Sequence, residues 1–195
     1  MRCVQRNAPS GIVFFSGYHG VGKTFTANAL LNDFNARVVD CGPIIRRLFA
    51  ESTLDSFSDW AKAMEKKLGC RWDDKLLLKV IESGIENEEL LFIVGNRDIE
   101  TILYLAEKLP HRMPAIILYL EKPIKIIKNG YELRTKTLLS DEEFEKILHS
   151  GPDAKLKSVK QYVLKHPDIC KLIRENEYSD ATIVASRNFI REVFQ

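Results

Sequence analysis

The sequence predicts an α/β fold in which helices cover both faces of a parallel β-sheet. Short apolar runs rich in β-branched and aromatic residues, such as 12–15 and 90–94, are typical of strands buried on both faces. Segments with apolar residues at helical spacing alternate with these runs, which indicates a parallel sheet. A chain of 195 residues, 45% of them hydrophobic, predicts one domain with a substantial core.

The predicted elements alternate regularly as far as residue 120. The strand at 12–15 ends at turn residues, and the helix after it carries Phe25, Ala29, Leu30 and Phe34 on one face. In chain order, further strands are predicted at 37–40, 90–94 and 115–120, and helices at 25–34, after Pro43, at 57–68, at 73–83 and at 99–109, where Asp98 caps the helix and Pro110 ends it.

The stretch from about 121 to 166 breaks this alternation. It is rich in lysine and has few strand patterns, and residues 140–143 (Ser-Asp-Glu-Glu) form a capping box that opens a helix. We expect this stretch to be a lid insertion over one edge of the sheet. Residues 182–185 predict a last strand, followed by a short helix, so the single domain has a core made of 11–120 and 178–195.

The charge balance excludes several function classes. Lys plus Arg number 29 and Asp plus Glu 27, a net charge of +2 that lacks the basic excess of nucleic-acid-binding proteins. No apolar run approaches the roughly 18 residues that a membrane-spanning helix needs. The first ten residues hold Arg2 and Arg6 and no apolar segment, so we expect no secretory signal.

The cysteines show no metal-binding pattern. They are Cys3, Cys41, Cys70 and Cys170, and no two have the close spacing of a zinc knuckle. A core of this size needs no disulfides, so we expect free thiols in a reducing compartment, the cytoplasm.

Residues 17–24 read Gly-Tyr-His-Gly-Val-Gly-Lys-Thr and match the phosphate-loop pattern G-x-x-x-x-G-K-[ST] at every fixed position. Glycines let consecutive backbone N–H groups turn inward onto a polyphosphate, and the following helix directs its positive end at the same phosphates. We expect Lys23 to bridge the β and γ phosphates and the Thr24 hydroxyl to bind Mg²⁺. The motif therefore predicts a nucleoside triphosphate site.

This motif occurs in three classes of nucleotide-binding protein that have to be distinguished here. A GTPase needs a D-x-x-G loop and an N/T-K-x-D guanine reader, and neither string occurs in the chain. A ring-forming or motor ATPase usually carries an acidic pair at the end of an apolar strand, whereas 90–94 runs into Gly95 and Asn96. A small-molecule kinase, built of a core sheet, an acceptor region and a lid, remains.

The order of these signals resembles the P-loop nucleoside and nucleotide kinase family, and most of all the branch of the dephospho-CoA and cytidylate kinases. Four segments carry the resemblance: 17–24, 40–46 (Asp-Cys-Gly-Pro-Ile-Ile-Arg), 94–100 (Val-Gly-Asn-Arg-Asp-Ile-Glu) and 178–184 (Tyr-Ser-Asp-Ala-Thr-Ile-Val). The resemblance implies a three-layer α/β/α fold with a five-stranded parallel sheet, a mobile lid and transfer of the ATP γ-phosphoryl group.

This chain departs from the family pattern in two places. Val94 stands where relatives carry Asp, which leaves Asp40 as the main acidic candidate. The lid of relatives often carries two arginines, whereas this chain shows Arg134 with Lys136 nearby, and lysine is the poorer bidentate ligand.

The candidate site residues fall into a donor group and an acceptor group. The donor group, which we expect to bind ATP, comprises Gly17, Tyr18, His19, Gly20, Val21, Gly22, Lys23, Thr24 and Arg134. Of the loop side chains, that of His19 is expected to point to solvent, and the alternative is a contact with a phosphate or a base. In the acceptor group, Arg46 and Arg97 are expected to clamp an anion through paired hydrogen bonds, and the alternative is a surface salt bridge.

Asp40 ends the strand predicted at 37–40, at the carboxyl edge of the sheet where ligands of parallel α/β folds bind. It is expected to hold Mg²⁺ with Thr24 or to take the proton of the acceptor, and the alternative is a cap for the helix that contains Pro43. The predicted catalytic residues are therefore Lys23, Asp40 and Arg97.

The sequence thus predicts an ATP-dependent phosphotransferase that uses Mg²⁺ and a small-molecule acceptor, a nucleoside, a nucleotide or a related compound. We expect no nucleic acid partner and no membrane partner, and the sequence is compatible with an oligomer. The alternative is a nucleotide-binding regulatory protein without kinase activity, whose conformation a partner reads.

Overall fold

A computed structural model describes residues 11–83, 90–109, 114–149, 151–176 and 180–194. All strands in these ranges pair in parallel in one sheet of order β2-β3-β1-β4-β5. They are β1 (Gly11–Ser16), β2 (Ala36–Asp40), β3 (Leu90–Val94), β4 (Ala115–Glu121) and β5 (Cys170–Arg174). The five-stranded parallel sheet is therefore confirmed, with β1 at its centre.

The register brings the carboxyl ends of β1, β2 and β3 to one edge of the sheet. Phe15 lies opposite Val94, and Val94 lies opposite Asp40 on the other side. The phosphate loop follows β1 directly, so Asp40 and the residues after Val94 end beside it. This edge is where ligands of open parallel sheets bind.

Helices cover both faces of the sheet. They are α1 (Lys23–Ala29), α2 (Cys41–Ala50), α3 (Phe57–Leu68), α4 (Trp72–Glu82), α5 (Ile99–Lys108), α6 (Ile124–Thr135), α7 (Asp141–His149), α8 (Leu156–Lys165) and α9 (Asp180–Phe194). Val13 and Phe15 pack with α1 and α9, whereas Ile12 and Phe14 pack with α4, α5 and α8. Because β1 is buried on both faces, its sequence is continuously apolar.

Beyond β4, α6 and α7 form a smaller apolar cluster of their own. Ile127, Phe144 and Leu148 are buried there, and Tyr18 of the phosphate loop packs against them. The predicted capping box at the start of α7 is confirmed, since Ser140 and Glu143 exchange side-chain to backbone hydrogen bonds of 3.2 and 2.8 Å. The pair of helices α6 and α7 thus contacts the phosphate loop through Tyr18.

The strand predicted at 182–185 is wrong. These residues belong to α9, whose buried positions Thr182, Ile183, Ser186, Phe189 and Ile190 recur at helical spacing. The β-branched residues at 182–184 misled the sequence reasoning because their local β preference is weaker than the burial of one helix face.

The fifth strand is instead β5, which the sequence analysis did not predict. As an edge strand it is only half-buried, with exposed Lys171 and Arg174 between buried Cys170 and Ile173, so its apolar pattern is weak. The helix α8, within the predicted lid range, buries Leu156 and Val159 against the sheet core.

Several sequence predictions fall outside the described residues. They concern the first ten residues with Cys3, Gly84 at the end of the predicted helix 73–83, Pro110 after α5, and Tyr178 and Ser179 of the segment 178–184. No helix in the described ranges has the length and apolar character to cross a membrane.

The packing of α8 predicts a specific stability difference. Leu156→Ala removes a fully buried side chain and is expected to lower the free energy of unfolding by about 2–5 kcal/mol. Leu164→Ala on the same helix removes a side chain that is 57% exposed and is expected to stay within about 0.5 kcal/mol of the parent. Urea denaturation measures both variants, and equal effects would contradict the placement of α8 in the core.

Candidate active site

The phosphate loop has a backbone that only glycine fits at two positions. Gly17 and Gly20 have φ angles of +131° and +78°. A Cβ atom at Gly17 would lie 2.4 Å from the Leu120 carbonyl oxygen, and one at Gly20 would lie 2.8 Å from that of Ile127 in α6. The motif glycines therefore serve both the turn and its close contact with β4 and α6.

Lys23 lies at the start of α1 with only 8% of its surface exposed. Its ammonium donates hydrogen bonds of 2.6 and 2.7 Å to the carbonyl oxygens of Gly17 and Tyr18. Burial, reinforced by the positive charge of Arg97, lowers the pKa of Lys23 to about 7. The ammonium therefore lies beneath the loop, where an anionic ligand would strongly favour its protonated form.

Thr24 and Asp40 meet across the mouth of the loop. The Thr24 hydroxyl donates a 3.1 Å hydrogen bond to one oxygen of Asp40, and the other oxygen accepts from the backbone N–H of Gly42 at 3.2 Å. Asp40 thus caps α2 through one oxygen and accepts from Thr24 of the phosphate loop through the other. The first contact is the helix cap that the sequence allowed, and the second joins the two residues that are expected to hold Mg²⁺. A hydroxyl beside a carboxylate is a donor set that suits Mg²⁺.

A cavity of about 280 Å³ opens above the loop. Among the described residues that line it, Lys23, Arg46, Arg97 and Arg134 are cationic and Asp40 is the one carboxylate. This excess of positive charge suits a polyphosphate, and Thr24 with Asp40 suits the cation that accompanies it. The structure thus brings most of the predicted donor and acceptor residues to one cavity, whereas Gly17, Tyr18 and Val21 do not line it.

The remaining loop residues occupy different positions. Val21 is fully buried in the core beside α1, and Tyr18 packs partly buried against both the sheet core and the α6–α7 cluster. Gly22 lines the cavity, and its left-handed backbone precedes α1. Arg134 lies exposed on α6, with its guanidinium 5.7 Å from the ring centre of Tyr131.

The expectation that His19 points to solvent is wrong. Its ring contacts Asp153 through Nδ1 at 3.2 Å, and Nε2 accepts a hydrogen bond from the Arg97 guanidinium. The hydrogen bond to Asp153 raises the pKa of His19, but burial and the charges of Arg97 and Lys23 outweigh it, so the pKa lies below its usual value. The ring is therefore neutral, with its proton on Nδ1.

Arg97 extends from the end of β3 into the same network. Its guanidinium forms a 3.1 Å ion pair with Asp153, and the neighbouring backbone is fixed by a 3.1 Å hydrogen bond from the Ser16 hydroxyl to the Asn96 carbonyl. Sequence reasoning missed Asp153 altogether. It is a single acid in the turn before α8, and no motif distinguishes it from a surface residue.

A second cavity of about 570 Å³ adjoins the first, and the two share Gly42, Arg46, Gly95 and Arg97 as a common wall. Ile45, Phe57 and Leu77 supply much of the apolar lining of the larger cavity. Charged side chains, Arg46, Asp73, Asp74, Arg97, Asp98 and Lys155, line the same cavity, so a small polar molecule would meet both apolar surface and charged partners there.

Asp73 and Asp74 lie in the first turn of α4 and also line this larger cavity. Asp74 is 3% exposed and accepts a 2.8 Å hydrogen bond from the Thr101 hydroxyl. Burial raises its pKa despite that bond. Trp60 and Trp72 pack edge to face at 5.1 Å in an aromatic cluster, so they stabilise the helices α3 and α4.

No protein-family model matches this chain. No curated protein matches it either. Among solved structures, a shikimate kinase from Acinetobacter baumannii in complex with shikimate covers 95% of this chain and 93% of its own at 17% identity and TM-score 0.49. A shikimate kinase from Bacteroides thetaiotaomicron covers 94% and 97% at 15% identity and TM-score 0.46.

A gluconokinase from Sinorhizobium meliloti 1021 is similar over 97% of this chain and 95% of its own, at 12% sequence identity and TM-score 0.56. At this identity the likeness establishes the fold and no more. The chain therefore shares its α/β fold with this gluconokinase.

Proposed function

We propose that this protein is a kinase that transfers the γ-phosphoryl group of ATP to a small acceptor, a nucleoside, a nucleotide or a related compound. The observation that carries the proposal is the pair of adjoining cavities, one above the phosphate loop and one lined by α2, α4 and α5. Arg46 and Arg97 stand in their common wall, where a phosphoryl group would pass between donor and acceptor. The likeness in fold to a gluconokinase supports this class of reaction.

On the donor side, the loop amides and the Lys23 ammonium hold the triphosphate. Thr24 and Asp40 would hold Mg²⁺, which screens phosphate charge when bound. The reaction is one in which positioning and charge neutralisation supply most of the catalysis, so a buried ammonium under a loop of backbone amides, with arginines nearby, suits it.

On the acceptor side, Arg97 and Arg46 neutralise the charge that moves between the cavities. Asp40 lines the donor cavity together with Gly42 and Gly95 of the common wall, and from there it would take the acceptor proton. We propose that α6 and α7 are the closing part of the lid predicted at 121–166, because Arg134 of α6 reaches the donor cavity. Closure excludes water, which would otherwise hydrolyse the nucleotide.

The resemblance to the dephospho-CoA and cytidylate kinases favours an acceptor that carries a nucleoside. The names of the structural neighbours add gluconate and shikimate as hydroxyl acceptors to be tested. In the described part of the chain Cys41, Cys70 and Cys170 are free thiols, which supports a reducing compartment such as the cytoplasm.

The second candidate function is a nucleotide-binding regulatory protein without kinase activity. It is favoured by Val94, a buried residue that supplies no carboxylate at the strand end beside the loop. Asp40 is then the one carboxylate among the described residues that line the donor cavity.

An acceptor panel distinguishes the two functions. ADP release is measured with Mg·ATP alone and with nucleosides, nucleotides, dephospho-CoA, gluconate or shikimate added. A kinase is expected to show a rate at least tenfold above background with one class of acceptor. A background rate that no acceptor changes would favour the regulatory protein.

Lys23→Ala is expected to lower ATP turnover at least 100-fold, because one preorganised charge on the phosphates typically contributes this much. Circular dichroism and the thermal midpoint are expected to show a folded protein. Lys62→Ala, on the exposed face of α3, is the matched control and should retain the parent rate. Turnover of Lys23→Ala within tenfold of the parent would count against the site.

The affinity for Mg·ATP is expected to fall as the pH rises from 7.5 to 9. The phosphates are fully ionised in this range, since their second pKa is about 6. Lys23 has a pKa of about 7 in the free protein, so binding must take up a proton, and Kd should increase by up to tenfold per pH unit.

Calorimetry in buffers of different ionisation enthalpy measures both the proton uptake and the Kd. The control is Lys23→Arg, whose guanidinium stays charged throughout this range and should give a Kd that does not vary with pH. Equal slopes for the parent and Lys23→Arg would show that another group takes up the proton.

A further inference from the structure

Asp153 joins two parts of the site that come from distant positions in the sequence. Its Oδ2 accepts from the backbone N–H of His19 at 3.4 Å and contacts the His19 ring at 3.2 Å. Its Oδ1 forms the 3.1 Å ion pair with Arg97. Arg97 in turn donates to the His19 ring, so the three side chains form a closed triangle.

The three side chains of this triangle are largely shielded from water, which strengthens the charged contacts between them. The side chain of Asp153 is 2% exposed and that of Arg97 is 19% exposed. A carboxylate this far from water needs charged and hydrogen-bonding partners, and here those partners are one residue of the phosphate loop and one residue of the acceptor wall. The positive charge and N–H groups around it hold the pKa of Asp153 below its usual value although burial acts the other way.

Asp153 itself stands on a rigid support. It lies in a short 3-10 turn directly before α8, whose first residue, Leu156, is fully buried in the sheet core. Lys155 of the same turn forms a 2.6 Å ion pair with Asp98, the cap of α5. The turn is thus attached to the sheet core through Leu156 and, through Lys155, to the start of α5, which lines the larger cavity.

We propose that Asp153 is a positioning residue that fixes His19 of the phosphate loop and Arg97 of the acceptor cavity in one geometry, so that donor and acceptor sites keep their relative placement. The part that concerns acceptor transfer rests on the proposed kinase function, whereas the part that concerns the loop needs nucleotide binding alone. Asp153 acts through its two partners and need not touch either substrate.

The contact of Asp153 with Arg97 is tested by a double-mutant cycle of Asp153→Asn and Arg97→Met, assayed with the acceptor that the panel identifies. Asp153→Asn is expected to raise the acceptor KM about tenfold or more and to lower kcat, because the released guanidinium no longer holds its place. In the Arg97→Met background the same change is expected to alter KM less than twofold. Full additivity of the two changes would overturn the proposal.

The contact of Asp153 with His19 of the phosphate loop is tested by the Kd for Mg·ATP, which requires no turnover. Asp153→Asn is expected to weaken binding about fivefold to tenfold, because the loop loses its anchor at His19. An unchanged Kd would overturn this part of the proposal. If the parent enzyme binds Mg·ATP but phosphorylates no acceptor, the kinase function fails while this measurement still decides the role of Asp153.

Two further variants separate positioning from folding. Asp33 is also a carboxylate that faces two arginines, Arg187 at 2.9 Å and Arg191 at 3.7 Å, but it lies outside both cavities. Asp33→Asn is therefore expected to lower the thermal midpoint and to leave KM and the Kd for Mg·ATP unchanged.

Asp153→Glu keeps the charge and is expected to restore at least part of the lost affinity. If Asp153→Asn fails to fold, His19→Gln removes the ring contact with Asp153 at smaller disturbance and is expected to weaken Mg·ATP binding in the same way. A purely structural Asp153 would behave like Asp33, and that result would overturn the proposal.

Discussion

The site depends on a buried ammonium held under a loop of backbone. Lys23 donates to the carbonyls of Gly17 and Tyr18, and burial has lowered its pKa to about 7. A cation with so little water around it is stabilised strongly by any anion that enters the loop. The glycines make this possible, since side chains at Gly17 and Gly20 would collide with β4 and α6.

The rest of the fold places charged groups around that ammonium. The parallel register ends β2 and β3 at the level of the loop, so Asp40 reaches Thr24 and Arg97 reaches His19. Asp40 is the last residue of β2, and Arg97 lies three residues beyond the fully buried β3, so the pairing of these strands fixes where both residues lie. The two cavities then share a wall because the segments that follow β2 and β3 line both.

Much of this arrangement could be predicted from the sequence, where local pattern and burial agree. The phosphate loop, β1, β3 and the cap at Asp98 follow from spacing and residue type alone. The edge strand β5 could not be found, since half of it faces water, and 182–185 resembled a strand because helix and strand patterns overlap in a short β-branched run. Asp153 and the turned-in ring of His19 are tertiary contacts between segments far apart in the chain, and no local pattern reports them.

The most direct test of the account is a calorimetric titration of the protein with ATP, in the presence and in the absence of Mg²⁺. Saturable binding at one site is expected, and it should weaken at least tenfold when Mg²⁺ is removed, because Thr24 and Asp40 would then face the phosphates without the cation between them. No binding, or the same affinity under both conditions, would contradict a triphosphate site built around Lys23.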